Sequence, residues 1–537
     1  MKKMFLLIVM LTPMLALAQT AAVAPPAPVK AEVKNTKDAP EPPAEKAVPA
    51  NGASAPADIL TRPTPPPGAD VSRELQESLV NLQIAQYGYD QVQPWKRTEL
   101  EEKGAYGCAV GPYEVLTTAY HLTDATYIKA RRFGQNEFIP ATVKVVDYES
   151  NLALLELDQK VMGPPLRPIQ FGADYRKGAA VDFYWLPAQG DVYSGRGFID
   201  RSQVTQSVLS YAKFVNFIIS NTSKNIGLGE LFLLDGQPIG LGCWFRKNTT
   251  EAGIIPGVVI NHFLADARGG AYKGFPTLGF KAEELLDPTR RAFLKLDVAL
   301  KDGVYVSDVY TLGTGKDVLK PQDVIVAING TRLNAYGRYL DGKLGWTSFE
   351  HLVAGGQIGE KIKFELYRGG QKCTLEAPAE NFPAEKMLVP WYEYGQQPAY
   401  AVVGGFVLQR LTRQYLAHWG ENWEKAVSPQ LYHIFQEKAF KPNPEDRDVV
   451  ILSFVFPFET NLGYHDLRQE VVKSYNGRPV HSMADIVEAQ KESKDNKFDT
   501  IELEYDNPTI VLPRALLPAA NTAIAKNYGI TQLQNID

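Results

Sequence analysis

The sequence predicts a mainly β, multidomain chain, with one large all-β unit followed by two smaller α+β units. Three observations carry this. Between residues 72 and 266, short alternating apolar runs are separated by turn residues, as in Leu79-Val80-Asn81-Leu82-Gln83-Ile84, Thr142-Val143-Lys144-Val145-Val146 and Phe214-Val215-Asn216-Phe217-Ile218-Ile219. A period of two is the signature of barrel or sandwich strands. From 269 to 380 strands alternate with a helical stretch, and from 381 to 537 that grammar partly returns: residues 471–480 repeat the strand, Asn-Gly turn and strand of 324–333.

Taken in order, Lys2 and Lys3 precede an apolar run from Met4 to Leu17, and Ala16-Leu17-Ala18 comes before Gln19. The run is about 14 residues, short of the roughly 20 that span a bilayer. Residues 1–18 therefore read as a cleaved signal peptide, and no later segment reads as a membrane span. Residues 19–71 are rich in Ala, Pro, Lys and Glu and nearly free of aromatics, which predicts a disordered linker. In the middle unit, Gly303-Val304-Tyr305-Val306 and residues 324–328 are strands, Asn329-Gly330 is a turn, 349–354 a short helix and 361–366 a final strand. In the last unit, 483–490 is a helix with Ser482 as N-cap, 501–505 a strand, and the aromatic insertion 415–423 helical.

Composition excludes several functions. With Lys+Arg 56 against Asp+Glu 61 the net charge is −5, so there is no basic footprint for nucleic acid. No His-Glu-x-x-His, Cys-x-x-Cys or glycine-rich phosphate loop occurs, and neither a metal nor a cofactor is expected. Cys108, Cys243 and Cys373 are too few for a disulfide framework and are expected as buried thiols.

Three segments carry the function. Gly107-Cys108-Ala109-Val110 leads to Leu116-Thr117-Thr118-Ala119-Tyr120. Asn151-Leu152-Ala153-Leu154-Leu155 follows, and Asn225-Ile226-Gly227-Leu228-Gly229 precedes Asp235-Gly236-Gln237-Pro238-Ile239-Gly240. With Gln93-Pro94-Trp95-Lys96, Tyr272-Lys273-Gly274-Phe275-Pro276-Thr277-Leu278-Gly279-Phe280, Pro398-Ala399-Tyr400-Ala401-Val402-Val403-Gly404-Gly405-Phe406-Val407 and Asn461-Leu462-Gly463-Tyr464, the chain resembles the Deg/HtrA (Do-like) serine proteases, above all their plant-type branch, over residues 73–537. The resemblance implies a trypsin-like double β-barrel over 72–266, a PDZ domain over 269–380 and a C-terminal Do-like PDZ-type domain over 381–537. It also implies serine endopeptidase chemistry in protein quality control.

The departures bear on that chemistry. Tyr120 holds the position of the family's histidine, Asn151 that of its aspartate and Gly227 that of its serine. An amide in place of the aspartate favours the wrong imidazole tautomer, at a cost of about 10⁴-fold, and Gly227 cannot form an acyl-enzyme. Asn225 and Leu228 replace glycines of the oxyanion turn. His121 lies one residue off, where a strand or tight turn points the side chain the opposite way. Ser223 with His121 and Asp124 or Asp147 reproduces no nucleophile elbow. The catalytic triad is therefore read as degenerate. The alternative is an active endopeptidase using an unrecognised constellation.

The PDZ resemblance implies peptide binding. Thr277-Leu278-Gly279-Phe280 fits the loop that receives a peptide carboxylate, with Gly279 letting successive N–H groups point at it. Leu278 and Phe280 would line the terminal side-chain pocket, and Phe349 and Leu352 the opposite wall. The alternative is a groove filled by the chain itself or by the neighbouring PDZ-like domain, with a structural role only. Gly404-Gly405-Phe406-Val407 is a second such loop by pattern only. The expected partners are peptide or unfolded-protein C-termini. The family implies a homo-oligomer, a trimer or a multiple, with an active paralogue as a further partner. The leader implies a periplasmic or extracellular location.

Overall fold

The computed structural model describes residues 75–221, 228–246, 249–420, 422–443, 445, 447–505 and 508–536. The expected leader and linker lie outside them. Strands β1 (Leu79–Gln86), β2 (Glu101–Ala109), β3 (Glu114–Thr117), β4 (Ala125–Arg132), β5 (Ile139–Asp147) and β6 (Leu152–Leu157) close one barrel in the order β1-β2-β3-β6-β5-β4. Strands β7 (Ala180–Trp185), β8 (Tyr193–Gln206), β9 (Lys213–Asn221), β10 (Leu231–Leu234), β11 (Gln237–Phe245) and β12 (Glu251–Pro256) close a second, β10-β11-β12-β9-β8-β7. The two paths are the same topology used twice, as the resemblance implies.

Strand alternation assigns the side chains. In β6, Leu152 and Leu154 face the core between the barrels, whereas Ala153, Leu155 and Leu157 fill the first barrel. A strand buried on both faces reads as an unbroken apolar run. The helix Gly257–Arg268 adds Val259, Ile260, Phe263 and Leu264 to the inter-barrel core, at helical spacing. Cys108 and Cys243 are buried free thiols as expected, but Cys373 is only half-buried.

The next sheet contains β13 (Phe280–Glu284), β14 (Val304–Val309), β15 (Val324–Ile328), β16 (Thr331–Arg332), β19 (Lys361–Arg368) and β20 (Gln371–Pro378), with β13 on its edge. Asn329 and Gly330, at φ 49° and 78°, make the expected turn before β16. Between β16 and β19, β17 (Arg338–Asp341) pairs with β18 (Gly345–Ser348), followed by the helix Glu350–Ala354.

The last sheet is eight-stranded and runs β27 (Ile510–Pro513), β26 (Phe498–Leu503), β24 (Glu470–Tyr475), β23 (Val450–Val455), β22 (Phe406–Arg410), β21 (Tyr400–Val403), β28 (Gln534–Asn535), with β25 (Arg478–Pro479) beside β24. Two expectations are corrected here. The insertion read as helical over 415–423 is two short helices, Arg413–Ala417 and Trp423–Ala426, parted where Gly420 takes φ 90°. Ser482 does precede the helix Met483–Glu492, but its hydroxyl donates to Asp485 Oδ2 (2.9 Å) instead of capping the helix.

Contacts distant in sequence lock the units together. Trp95, on the loop between β1 and β2, is 5% exposed. Its ring lies 5.7 Å from Tyr400 and from Phe456 of the last unit. Tyr211, at the tip of the β8–β9 hairpin, packs on Phe382, Trp391 and Phe440.

Candidate functional site

The turn after β3 carries Tyr120, which the motif spacing aligns with the family's histidine. Residues Ala119–Leu122 form a single 3-10 turn in which Tyr120 is 52% exposed while His121 is buried. Burial, with a smaller push from Lys103, lowers the His121 pKa to about 4. Its Nε2 is buried without a hydrogen-bond partner, and Gln86 Nε2 donates to its carbonyl (2.8 Å). His121 is thus a neutral, packed imidazole whose ring stands edge-on to that of Tyr120, centroids 5.3 Å apart.

Asn151 is buried and holds a left-handed backbone, φ 59°, a conformation asparagine tolerates better than most residues. Its Oδ1 accepts the Tyr120 N–H (2.8 Å) and its carbonyl accepts the Ala119 N–H (3.2 Å). Asn151 therefore anchors the turn by accepting from its backbone.

Of the nucleophile segment, Ser223, Asn225 and Gly227 lie outside the described residues. Leu228 takes no left-handed backbone. Its N–H donates to Glu230 Oε2 (2.8 Å) and its carbonyl accepts from Tyr106 N–H (3.0 Å). Gly229 (φ 100°) is required where it stands, because a Cβ there would lie 2.3 Å from Tyr106 O.

The carboxylates near His121 in sequence serve elsewhere. Asp124 Oδ1 accepts the Gly395 N–H (2.6 Å). Asp147 Oδ2 accepts Ser150 Oγ (2.8 Å) and Tyr272 Oη (2.6 Å), and Glu149 Oε1 accepts Tyr392 Oη (2.9 Å). Burial first, and then the Asp147 carboxylate, raises Glu149 well above the usual range. This carboxyl pair joins the first barrel to the segments that lead into the two later units.

The second candidate is the groove between β13 and the helix Glu350–Ala354, which encloses a cavity of about 390 Å³. Thr277, Leu278, Phe280 and Phe349 line it, whereas Gly279 and Leu352 do not; Leu352 packs on the core of this unit. The loop differs from expectation at Gly279. Its N–H donates to Thr314 O (2.9 Å), and its carbonyl accepts from Tyr310 N–H (2.8 Å). A Cβ on Gly279 would lie 2.6 Å from Gly313 O, so close approach of residues 312–314 requires the glycine. Thr314 N–H donates in turn to Thr277 O (2.8 Å). Backbone groups alternate in direction along an extended chain, so this pattern turns the Leu278 and Phe280 N–H groups toward the open edge of β13.

Residues outside the expected loop and helix complete the cavity. Tyr211, Lys213 and Phe214 come from the β8–β9 hairpin and its strand, and Trp391, Phe435, Gln436 and Phe440 from the last unit. Lys213 Nζ pairs with Glu350 Oε1 (3.0 Å), tying hairpin to helix. His351 lines a different crevice, with His262 and Phe275.

The other candidate loop is structural. Gly405 has φ 97°, and a Cβ there would lie 2.4 Å from Asn461 Nδ2. The fully buried Asn461 donates to Gly404 O (2.7 Å) and Phe456 O (2.8 Å) and accepts from Phe458 N–H (2.9 Å). That locks the turn between β21 and β22.

No helix among the described residues is long and apolar enough to cross a membrane. Residues 389–537 match the PDZ domain family. The chain is similar to Protease Do-like 2, chloroplastic, of Arabidopsis thaliana, at 27% identity over 454 residues, 83% of this chain and 72% of that protein. It is also similar to Protease Do-like 4, mitochondrial, of the same plant, at 23% identity over 446 residues, 80% and 82%. The solved structure of the HtrA-type protease AlgW with decapeptide covers 59% of this chain, itself covered to 98%, at 19% identity and a TM-score of 0.45. This chain is a homologue of the Do-like (HtrA) serine proteases and carries a PDZ domain.

Proposed function

We propose that this homologue is a non-proteolytic, exported member of its family that binds the C-termini of peptides or unfolded proteins in the β13 groove. It works in the periplasm or outside the cell as a homo-oligomer, a trimer or a multiple, alone or beside an active paralogue. One observation carries the reading: a tyrosine that points to solvent holds the base position, and the Asn151 amide below it is spent on that tyrosine's backbone. The only histidine within a residue of the site is buried and neutral. With Gly227 at the serine position, neither base nor nucleophile stands where the fold uses them. What the fold keeps is a sheet edge with outward N–H groups beside an apolar cavity, which suits an added peptide strand.

The test is fluorescence anisotropy on the mature chain with a labelled hexapeptide ending Ser-Ala-Val, as free acid and as C-terminal amide. The free acid is expected to bind at least about tenfold more tightly, because the terminal carboxylate receives charge-assisted N–H bonds. Equal affinity of acid and amide, or no binding of either, sinks the groove assignment.

A further inference from the structure

Three separate segments rest on the loop 147–150, and each goes on to line the groove. The tip of the β8–β9 hairpin bonds the loop through Ser207 Oγ, which donates to Tyr148 O (3.4 Å), and Ser210 Oγ, which donates to Glu149 O (3.4 Å). Tyr272 Oη donates to Asp147 Oδ2 (2.6 Å) and Tyr392 Oη to Glu149 Oε1 (2.9 Å). Tyr148 packs edge-on against Tyr392 at 4.9 Å. From these contacts the chain runs directly into the cavity beside β13: Tyr211 adjoins Ser210, Thr277 follows Tyr272, and Trp391 adjoins Tyr392, and all three line it. Tyr211 also ties the walls together, its ring 5.8 Å from Trp391 and its hydroxyl donating to Phe382 O. The side-chain donors to the two carboxyls are hydroxyls, and among the described residues no lysine or arginine pairs with either.

Resting on the peptide-binding reading, we infer that the Asp147–Glu149 pair is a proton-operated latch on the groove: with Glu149 protonated the three segments stay seated and the groove takes its peptide, and loss of that proton unseats them. Two carboxylates side by side repel, and hydroxyl donors do not neutralise them. Once Glu149 ionises the pair needs water, and the tyrosines that cover it must move to admit it. Those tyrosines carry Tyr211, Thr277 and Trp391 with them. Burial, and then the Asp147 carboxylate, make Glu149 hold its proton well above the ordinary 4.5, so the latch opens as pH rises. The groups that face the pair keep their charge meanwhile. Burial raises the Tyr211, Tyr272 and Tyr392 hydroxyls, so they remain donors. His262, on the helix Gly257–Arg268, faces Asp147, and burial lowers it, so it stays neutral. The Asp266 carboxylate near Tyr272 and the Glu385 carboxylate near Tyr211 add only negative charge.

The test is titration calorimetry of the full mature chain with an N-acetylated, free-acid hexapeptide ending Ser-Ala-Val, from about pH 6.5 to about pH 9. Affinity is expected to fall about tenfold or more across that range. On the falling part, binding should take up a proton, read from two buffers of different ionisation heat, because a proton that favours the peptide is itself favoured by the peptide. Glu149→Gln keeps an acceptor for Tyr392 and offers Asp147 an amide donor, but it has no proton to lose. Its affinity should stay within about twofold of the unaltered chain's value at the acid end throughout, with no proton uptake. A level affinity in the unaltered chain, a fall without proton uptake, or an equal fall in Glu149→Gln overturns the latch and leaves the groove assignment standing. No binding at any pH overturns both.

Discussion

Trp95→Ala is expected to cost about 3–5 kcal/mol, the range for truncating a buried tryptophan, and to uncouple the last unit from the first barrel. The ring is 5% exposed and lies among Tyr400, Val402, Val407, Phe456 and Ile524, none of which belongs to the barrel. Its loop is also held by Gln397 Nε2 donating to Pro94 O (3.0 Å) and Gln409 Nε2 donating to Gln91 O (3.0 Å). Removing the ring leaves a cavity in the last unit while the barrels keep their own cores. Calorimetry should show an early transition split from the main one, with Trp95→Phe recovering part of the loss. A single transition at the unaltered temperature would show that Trp95 does not bolt the units together.

The Asp147–Glu149 junction should make stability fall as pH rises. Burial and the neighbouring Asp147 raise the Glu149 carboxyl well above its ordinary value of 4.5. The folded chain therefore holds a proton that the unfolded chain has released, and stability declines with pH through that interval. The contribution is complete below 4.5 and is lost as pH climbs through the raised folded value. The groups that face the pair are Tyr272 and Tyr392, which donate to it, Ser150, which donates to Asp147, and the nearby Tyr211. Glu149→Gln supplies a permanent amide donor toward Asp147 and keeps an acceptor for Tyr392. It should match the unaltered chain at pH 4.5 and exceed it by several degrees in Tm at pH 8–9, on the order of 2–4 °C per kcal/mol. Parallel melting curves for the two proteins across that range would refute the account of a proton retained on Glu149.

What the sequence made legible follows from how local each signal is. The alternation at 79–84 and 214–219 and the Asn-Gly turn at 329–330 predict β1, β9 and the β15–β16 turn, since pleat and left-handed turn are set by neighbouring residues. The reading of Tyr120 and Asn151 as the base and carboxylate positions rests on motif spacing alone. That Asn151 Oδ1 would grip the Tyr120 backbone is not legible there, because the bond spans 31 positions. Gly279 shows the limit of a motif. The loop pattern is present, but the glycine serves its approach to residues 312–314, and the N–H groups left for a ligand are those on either side. Tyr211, Trp391 and Phe440 carry no periodic signal, and each acquires a role only where separate units meet. Trp95 was visible as part of a motif, but its insertion into the last unit was not.

The most direct measurement of the central claim is to incubate the mature chain with unfolded casein and, in parallel, with a fluorophosphonate probe. The account predicts intact casein and an unlabelled chain, while the same preparation binds the free-acid peptide. Casein cleavage with labelling of a serine, mapped by mass spectrometry, would contradict it and would assign the chain a working nucleophile.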